Sequence, residues 1–450
     1  MKPTITIEIP ASSEALVRQL LALHEEMNAL ALSAPAGTVL DACEEAVIPK
    51  GRDLIAQVLS DAVARRIESA EKKGAPIRVC ECGRAKENRG PCSRQYVTTL
   101  GVLKITRRYW QCRCGSDGGY AADEVIGLSG RCSRVVQKHG CRLAADVSFA
   151  KASEHLREML GVRLSPETVR GIAECHGKAM AKFQPKDEAT AKAFRAAKGE
   201  VEFAVDAGKV NTREKGWKDL KIGVISKRES GDPATPSQWC DEDRLPTATI
   251  VVAFAMIAAS KVFRRCWKTP LHRLGVTSFS SLHALGDGAS WIWKSVQRVL
   301  TGCTQTLDIY HASERLSLCT KRIFGEGKAE ATVAFERGRE KLLNDGWSGV
   351  CAWVAELLSV EDSAERERRR RYTEKLLGYF SKHVSRLNYR ERLASGRAIG
   401  SGAVEGQAKT LGLRLKSRGA RWRIANVRPM ASLVCVRNSV QWNAYWSLAA

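Results

Sequence analysis

Residues 201 to 206, VEFAVD, set Val201, Phe203 and Val205 on one side of an extended chain and Glu202, Ala204 and Asp206 on the other. A period of two is the mark of a strand. "DLKIGVIS" (219–226) offers a natural pairing strand, and a polar stretch with three prolines (227–247) leads to the apolar strand "TIVVAFAMI" (249–257). An amphipathic helix is expected near 258–274, followed by a strand in "SSLHALGDG" (280–288) that closes at Asp287. A helix at "ASWIWKSVQRVL" (289–300) and a strand in "TQTLDIYH" (304–311) complete the series. Strands and helices in this order make a mixed α/β sheet.

Asp206 and Asp287 share a placement, since each ends an apolar strand and each is followed by one alanine and one glycine, in VDAG and GDGA. Ligands of α/β sheets gather outside the carboxyl ends of strands, so two acids placed there can converge. A single Asp in this position is usually a turn former. The third acid is Glu405, alone at the head of "SGAVEGQAKTLGLRLKSRGARWR" (401–423), ahead of Lys409, Arg414, Lys416, Arg418, Arg421 and Arg423. Val404, Ala408, Leu411 and Leu415 fall at helical spacing as a core-facing stripe, and Glu405, Lys409, Gly412 and Lys416 form the adjacent face. An acid in the first turn also complements the helix dipole. Three hard oxygen ligands are nonetheless what a magnesium site needs, and the bases beyond Glu405 suit a phosphate chain.

Lys plus Arg number 72 against 49 Asp plus Glu, a formal charge of +23, so a polyanion such as double-stranded DNA is the natural partner. The longest apolar run, "IVVAFAMIAA" (250–259), is too short to span a bilayer, and no apolar leader follows the first residues. A soluble cytoplasmic protein with no membrane partner is expected. Residues 1–75 read as a helical N-terminal arm, interrupted near 35–37 and at Pro49. Residues 131–195 read as a helix-turn-helix DNA-binding region, in which Ser165, Pro166 and Glu167 sign a helix start. Thr168 and Arg170 would then reach base edges. Trp291 and Trp293 suit core anchors, and "ERERRRR" (365–371) a solvated helical face.

Four ordered motifs, FAVDAGKV (203–210), LGDGASWIW (285–293), LDIYHASERL (307–316) and GSGAVEGQAKTLGLRLKSRGARW (400–422), resemble the DDE transposases of bacterial insertion sequences. The likeness is to the ISKra group, which is related to Mutator-like transposases, and it covers about residues 76 to 446. It implies an RNase H-like core (196–311 and 396–450) interrupted by an all-helical insertion (312–395). The 118 positions from Asp287 to Glu405 leave room for that insertion. The likeness also implies catalysis at Asp206, Asp287 and Glu405 around two Mg²⁺ or Mn²⁺ ions, with Asp206 bridging the pair. Asp308 and His311 match the family's Asp/Cys-x-x-His element as supporting residues. The activity implied is cleavage at terminal inverted repeats and strand transfer into target DNA, by a homodimer or larger assembly in the bacterial nucleoid.

Residues 76–130 carry Cys80-x-Cys82-Gly83 and Cys112-x-Cys114-Gly115, bridged by a β-like segment. These make a candidate four-thiolate zinc ribbon. The family's pairs have two intervening residues and these have one, so Cys92 and Cys132 stand as alternative ligands. Arg107, Arg108 and Arg113 would form a basic platform on the ribbon. A zinc-containing DNA-binding regulator without catalysis, and an RNase H-like nuclease without strand transfer, stay open as alternatives.

Overall fold

The computed structural model of the chain describes residue 8 and residues 13–72, 79–115, 118–128 and 130–447. Two compact units divide it, Met1–Ile172 and Ala173–Ala450. Among the described residues no helix is long and apolar enough to cross a membrane.

The first unit opens with a pair of packed helices, α1 (Glu14–Ser33) and α2 (Val39–Lys72). The expected break between them occurs, with Ala34 extended at φ −68° and ψ 142°. The break expected at Pro49 does not: α2 runs through it. Proline removes one backbone donor and crowds one carbonyl, and here the helix continues on either side. Strands β1 (Glu87–Thr98) and β2 (Gly101–Gln111) pair antiparallel, with Thr98 opposite Gly101 across a two-residue turn. Tyr96, Leu103 and Ile105 pack on Ile67 of α2 and on Ala122 of the short helix α3 (Ala121–Val125). Helices α4 (Arg134–Asp146) and α5 (Phe149–Leu160) follow, and α6 (Pro166–Phe183) begins in this unit and ends in the next. Ser133 and Ser148 accept the Val136 and Lys151 amides, and Ser165 accepts the Thr168 amide at 3.1 Å. A serine oxygen that takes up an orphan N–H fixes where a helix starts, which is why Ser165 was legible in the sequence.

The second unit continues with α7 (Glu188–Ala196) and a five-stranded mixed sheet of β3 (Glu200–Thr212), β4 (Gly216–Arg228), β5 (Ile250–Ile257), β6 (Leu282–Gly286) and β7 (Thr304–Leu307). The order is β5-β4-β3-β6-β7; β3, β4 and β5 form an antiparallel meander, and β6 and β7 run parallel to β3. The region expected as one amphipathic helix is two short ones, α8 (Ser260–Arg265) and α9 (Lys268–Arg273), and α10 (Ser290–Val299) links β6 to β7. Phe263, Trp267, Leu271, Ile292 and Trp293 bury one sheet face.

Residues 309–394 are helical throughout their regular elements: α11 (Ile309–Phe324), α12 (Ala329–Leu358), α13 (Ser363–Phe380) and α14 (Tyr389–Ala394). Leu316, Leu342, Trp353 and Phe380 from these helices share one core with Leu307 and Phe203 of the sheet. Burying each such side chain contributes about 1.5–3 kcal/mol, so the helical segment is held by the same core as the strands. Helix α12 kinks at Gly346 (φ 56°), where a Cβ would lie 2.8 Å from the Leu387 carbonyl oxygen. Arg392 of α14 grips both oxygens of Glu200 at 2.9 and 2.6 Å and contacts His283 Nδ1 at 2.7 Å, fastening the end of the helical segment to β3 and β6.

Helix α15 (Gly402–Leu415) lies against β3 and β4, and α16 (Ile424–Arg437) against β5; α17 (Gln441–Ser447) follows. Of the expected stripe, Val404, Leu411 and Leu415 are buried, and Ala408 is only partly so, lining a groove with Asp206. The helix stops sooner than the sequence suggested. Trp422 binds the Asn211 carbonyl of β3 through its amide at 3.0 Å, and its indole N–H donates to the Leu415 carbonyl at 3.0 Å. Gly419, at φ 77°, takes the left-handed turn this needs. Arg418, Arg421 and Arg423 therefore stand exposed in the α15–α16 loop, not along a helix flank.

Candidate active site

Val205 of β3 pairs with Gly286 of β6, and Gly286 pairs with Leu307 of β7. The residue after each of these is an aspartate: Asp206, Asp287 and Asp308. Neighbouring strands lie about 4.8 Å apart, so one register row places three carboxylates side by side. Asp287 and Asp308 directly follow the last residues of β6 and β7, whereas Asp206, expected to end its strand, lies inside β3, which runs on to Thr212 because its pairing with β4 continues. The Asp308 amide donates to the Gly286 carbonyl at 2.9 Å and extends the row by one bond. Alternation along β3 turns Asp206 away from Phe203 and Val205 towards α15. Between them runs a groove lined by Asp206, Gly208, Lys409, Gly412, Leu413 and Lys416.

Asp308 is fully buried and its two oxygens are occupied. Oδ1 accepts the His311 amide at 2.8 Å and its ring Nδ1 at 2.9 Å; Oδ2 accepts the Ser401 amide at 2.5 Å and hydroxyl at 2.9 Å. Burial alone would raise its pKa, but the donors of His311 and Ser401 outweigh it and hold the carboxyl below the usual range. The hydrogen bond to Asp308 in turn lifts His311 to about 9 against the opposing effect of burial, so the ring is an imidazolium at neutral pH. Ser401 is the N-cap residue of α15, yet its side chain does not cap; it lies 3.1 Å from Glu405 Oε1 as well as on Asp308. Its single proton serves one acid at a time. Glu405 is half-buried, 3.9 Å from His311 Nδ1.

Burial is the first cause raising Glu405, with Asp308 and Asp206 adding to it. Burial also leads the rise at Asp287, where Asp206 and Asp308 add and His311 opposes. Mutual repulsion of this kind is what a set of acids shows without a cation between them.

Asp308, His311 and Glu405 bring one ligand atom each within 4.8 Å of one another, whereas Asp206, Asp287 and Glu405 together do not form so tight a group. Donor chemistry separates the two sets. Asp308 has no oxygen left over. Asp206 spends one oxygen on the Ala207 amide (2.6 Å), Asp287 one on the Ala289 amide (2.8 Å) and Glu405 one on Ser401. Each of these three acids keeps a second oxygen without a protein donor among the described residues. Hard oxygen donors of this kind fit Mg²⁺ or Mn²⁺, and a protonated Nδ1 does not. Trp293 donates its indole N–H to the Asp287 carbonyl at 2.7 Å, fixing the strand-end turn from beneath.

Lys409, Lys416, Arg418, Arg421 and Arg423 are exposed, and the two lysines line the groove with Asp206. Arg414 departs from the expected DNA-facing set: it is buried, 4 % exposed, with its guanidinium 4.9 Å over the Trp422 ring. Thr168 and Arg170 are exposed on the first turns of α6, with Arg170 paired to Glu167. Sequence reasoning missed Ser401, although a serine just ahead of a helix was the available signal.

In the first unit Cys80, Cys82, Cys112 and Cys114 form a cluster that could hold a zinc ion. Sγ separations are 3.6 Å for Cys80–Cys114 and for Cys82–Cys112. Four thiolates at about 2.3 Å from zinc stand about 3.8 Å apart at the corners of a tetrahedron, so the spacing fits. The two Cys-x-Cys-Gly segments form the same turn, with the Gly83 and Gly115 amides bound to the Cys80 and Cys112 carbonyls at 2.8 and 3.2 Å. Both glycines have φ near 80°, at 80° and 78°. Neither Cys92 nor Cys132 belongs to the cluster; Cys92 instead accepts from the Tyr120 hydroxyl. The expected basic platform is internally paired: buried Arg107 with Asp123, Arg108 with Glu71 and Arg113 with Glu87.

Compared with known proteins, the chain matches no family model and no curated protein sequence.

Proposed function

We propose that the chain is a DDE transposase of the ISKra type, binding the terminal inverted repeats of an insertion sequence and catalysing magnesium-dependent DNA cleavage and strand transfer. The observation that carries this is the register row that ends in Asp206 and Asp287 on adjacent parallel strands, faced by Glu405 from the helix laid over β3. The strand order, three antiparallel then two parallel to the first, supports an RNase H-like core.

Asp206, Asp287 and Glu405 would hold two Mg²⁺ ions through the oxygens that no protein donor occupies. Bound there, the ions supply an acidified water and charge neutralisation at the departing 3′ oxygen. The chain's own residues set the stage. Asp308 clamps the Ser401 amide and so fixes the start of α15, which aims Glu405 at the strand ends. His311, as a cation, offsets part of the acids' repulsion before metal binds. Lys409 and Lys416 steer a phosphate backbone into the groove, and Arg418, Arg421 and Arg423 extend that positive edge. Thr168 and Arg170 meet the element ends, and the four cysteines hold a structural zinc. Two ends require two sites, hence a dimer or larger assembly on DNA.

Pre-cut element ends bearing a free 3′-OH, supplied with supercoiled target and Mg²⁺, test this directly. Joined products are expected. Hydrolysis without joining would make the chain a nuclease, and binding without either would make it a regulator. Glu405→Gln should abolish cutting and joining while DNA binding persists; loss of binding instead would contradict the role given to Glu405.

A further inference from the structure

Helices α11 and α13 border a second groove, whose walls include Arg315, Arg322, Tyr372, Lys375 and Tyr379. Arg315 and Arg322 stand two helical turns apart on one face of α11, about 10 Å along its axis. All three cations are exposed. Several nearby bases are paired instead: Arg368 and Arg369 with Glu365 and Arg370 with Glu367 on α13, and Arg337 and Lys341 with Glu356 on α12. Arg315, Arg322 and Lys375 have no such acid among the described residues. Like charges left together repel, and a polyanion is what relieves them.

One wall residue of the groove, Tyr379, reaches the loop that follows β6. Tyr379 packs over Gly288, the residue after Asp287, so closely that a Cβ there would collide with its ring. Its buried hydroxyl has no acceptor for its proton, and Arg315 lies 5.1 Å over the ring. Three exposed cations spread along one groove match a phosphodiester chain better than a free anion, which needs a cage of converging donors. We infer that the α11–α13 groove carries the phosphodiester backbone of the DNA strand passing Asp287, with Arg315, Arg322 and Lys375 each neutralising a phosphate. This rests on DNA being the ligand, as proposed above.

The test is binding of a DNA duplex with a single-stranded 3′ extension to the full chain across a KCl series. The variant Arg315→Gln/Arg322→Gln/Lys375→Gln should flatten the slope of log K against log[salt] by about 2 to 3, roughly 0.7–0.9 per lost phosphate contact. A control variant, Arg337→Gln/Lys341→Gln, should leave the slope unchanged, and matched thermal melting curves should exclude misfolding. An unchanged slope in the triple variant, with wild-type binding intact, would overturn the groove assignment and leave the transposase assignment standing. An equal fall in the control would overturn it too, as general charge loss. A wild-type chain that binds no DNA at any salt would overturn both.

Discussion

Asp308 shows how one side chain fixes the geometry of its neighbours. Three donors, the His311 amide and ring and the Ser401 amide, engage both its oxygens at all times, with the Ser401 hydroxyl shared with Glu405, so its work is to hold His311 charged and α15 in place. Asp308→Asn should therefore drop the His311 pKa from about 9 towards the ordinary value near 6.5, read by NMR titration of the ring. An unmoved pKa would mean the acids at 287 and 405 carry that role. The same change should cost on the order of 2–4 kcal/mol of stability, measured by urea unfolding, because buried donors lose a charged acceptor. The placement of Asp287 after a strand and of Glu405 at the head of a helix was legible because both are local patterns, whereas the expected strand end at Asp206 was not found, since pairing with β4 carries β3 on to Thr212. Ser401 was not legible, since its partner lies 93 positions away and its local signature is that of an ordinary cap. Arg414 misled for a related reason: it stands in a run of bases in the sequence, but Trp422 folds back over it.

At the scale of elements, the β1–β2 hairpin joins the two Cys-x-Cys turns, so a bound zinc would tie both ends of the hairpin together. Titration with a mercurial and a metal indicator should release about one zinc per chain. Zinc removal, or Cys82→Ser, should destabilise the first unit by several kcal/mol, since metal binding free energy becomes folding free energy. The check is its melting with and without chelator; identical curves would exclude a structural zinc. The sequence exposed these turns through their glycines, but left open which cysteines meet, because one intervening residue departs from the usual pair. Where α15 ends was illegible in the same way. Gly419 was a local stop signal, but the helix already ends at Leu415, and it is the bond from Trp422 to Asn211, more than two hundred positions back, that turns the chain there.

For the molecule as a whole, buried histidines set the acid limit of stability. Burial, and then Arg386, lowers His383 to about 4, and burial, then Arg392, lowers His283 well below its ordinary value. An unfolded chain binds those protons near pH 6.5 and the folded one does not, so their contribution is present above 6.5 and is lost as pH falls from there towards 4. His311 works in the opposite sense: its contribution is full below 6.5 and fades as pH rises through about 9. Urea midpoints should fall between pH 7 and pH 5, with His383 alone accounting for on the order of 1–2 kcal/mol. His383→Asn should flatten that slope, and an unchanged slope would contradict the assignment. The mixed sheet and the helical segment were both visible in the sequence's periodicities; that the two share one core was not, because Leu342, Trp353 and Phe380 meet the strands only in three dimensions. The central claim is that Asp206, Asp287 and Glu405 hold metal jointly, and metal-directed backbone cleavage tests it most directly. With Fe²⁺ in place of Mg²⁺ and peroxide added, the chain should be cut near 206, 287 and 405 together, and Asp206→Asn or excess Mg²⁺ should suppress all three cuts. Cleavage that spares any one of these positions would contradict the account.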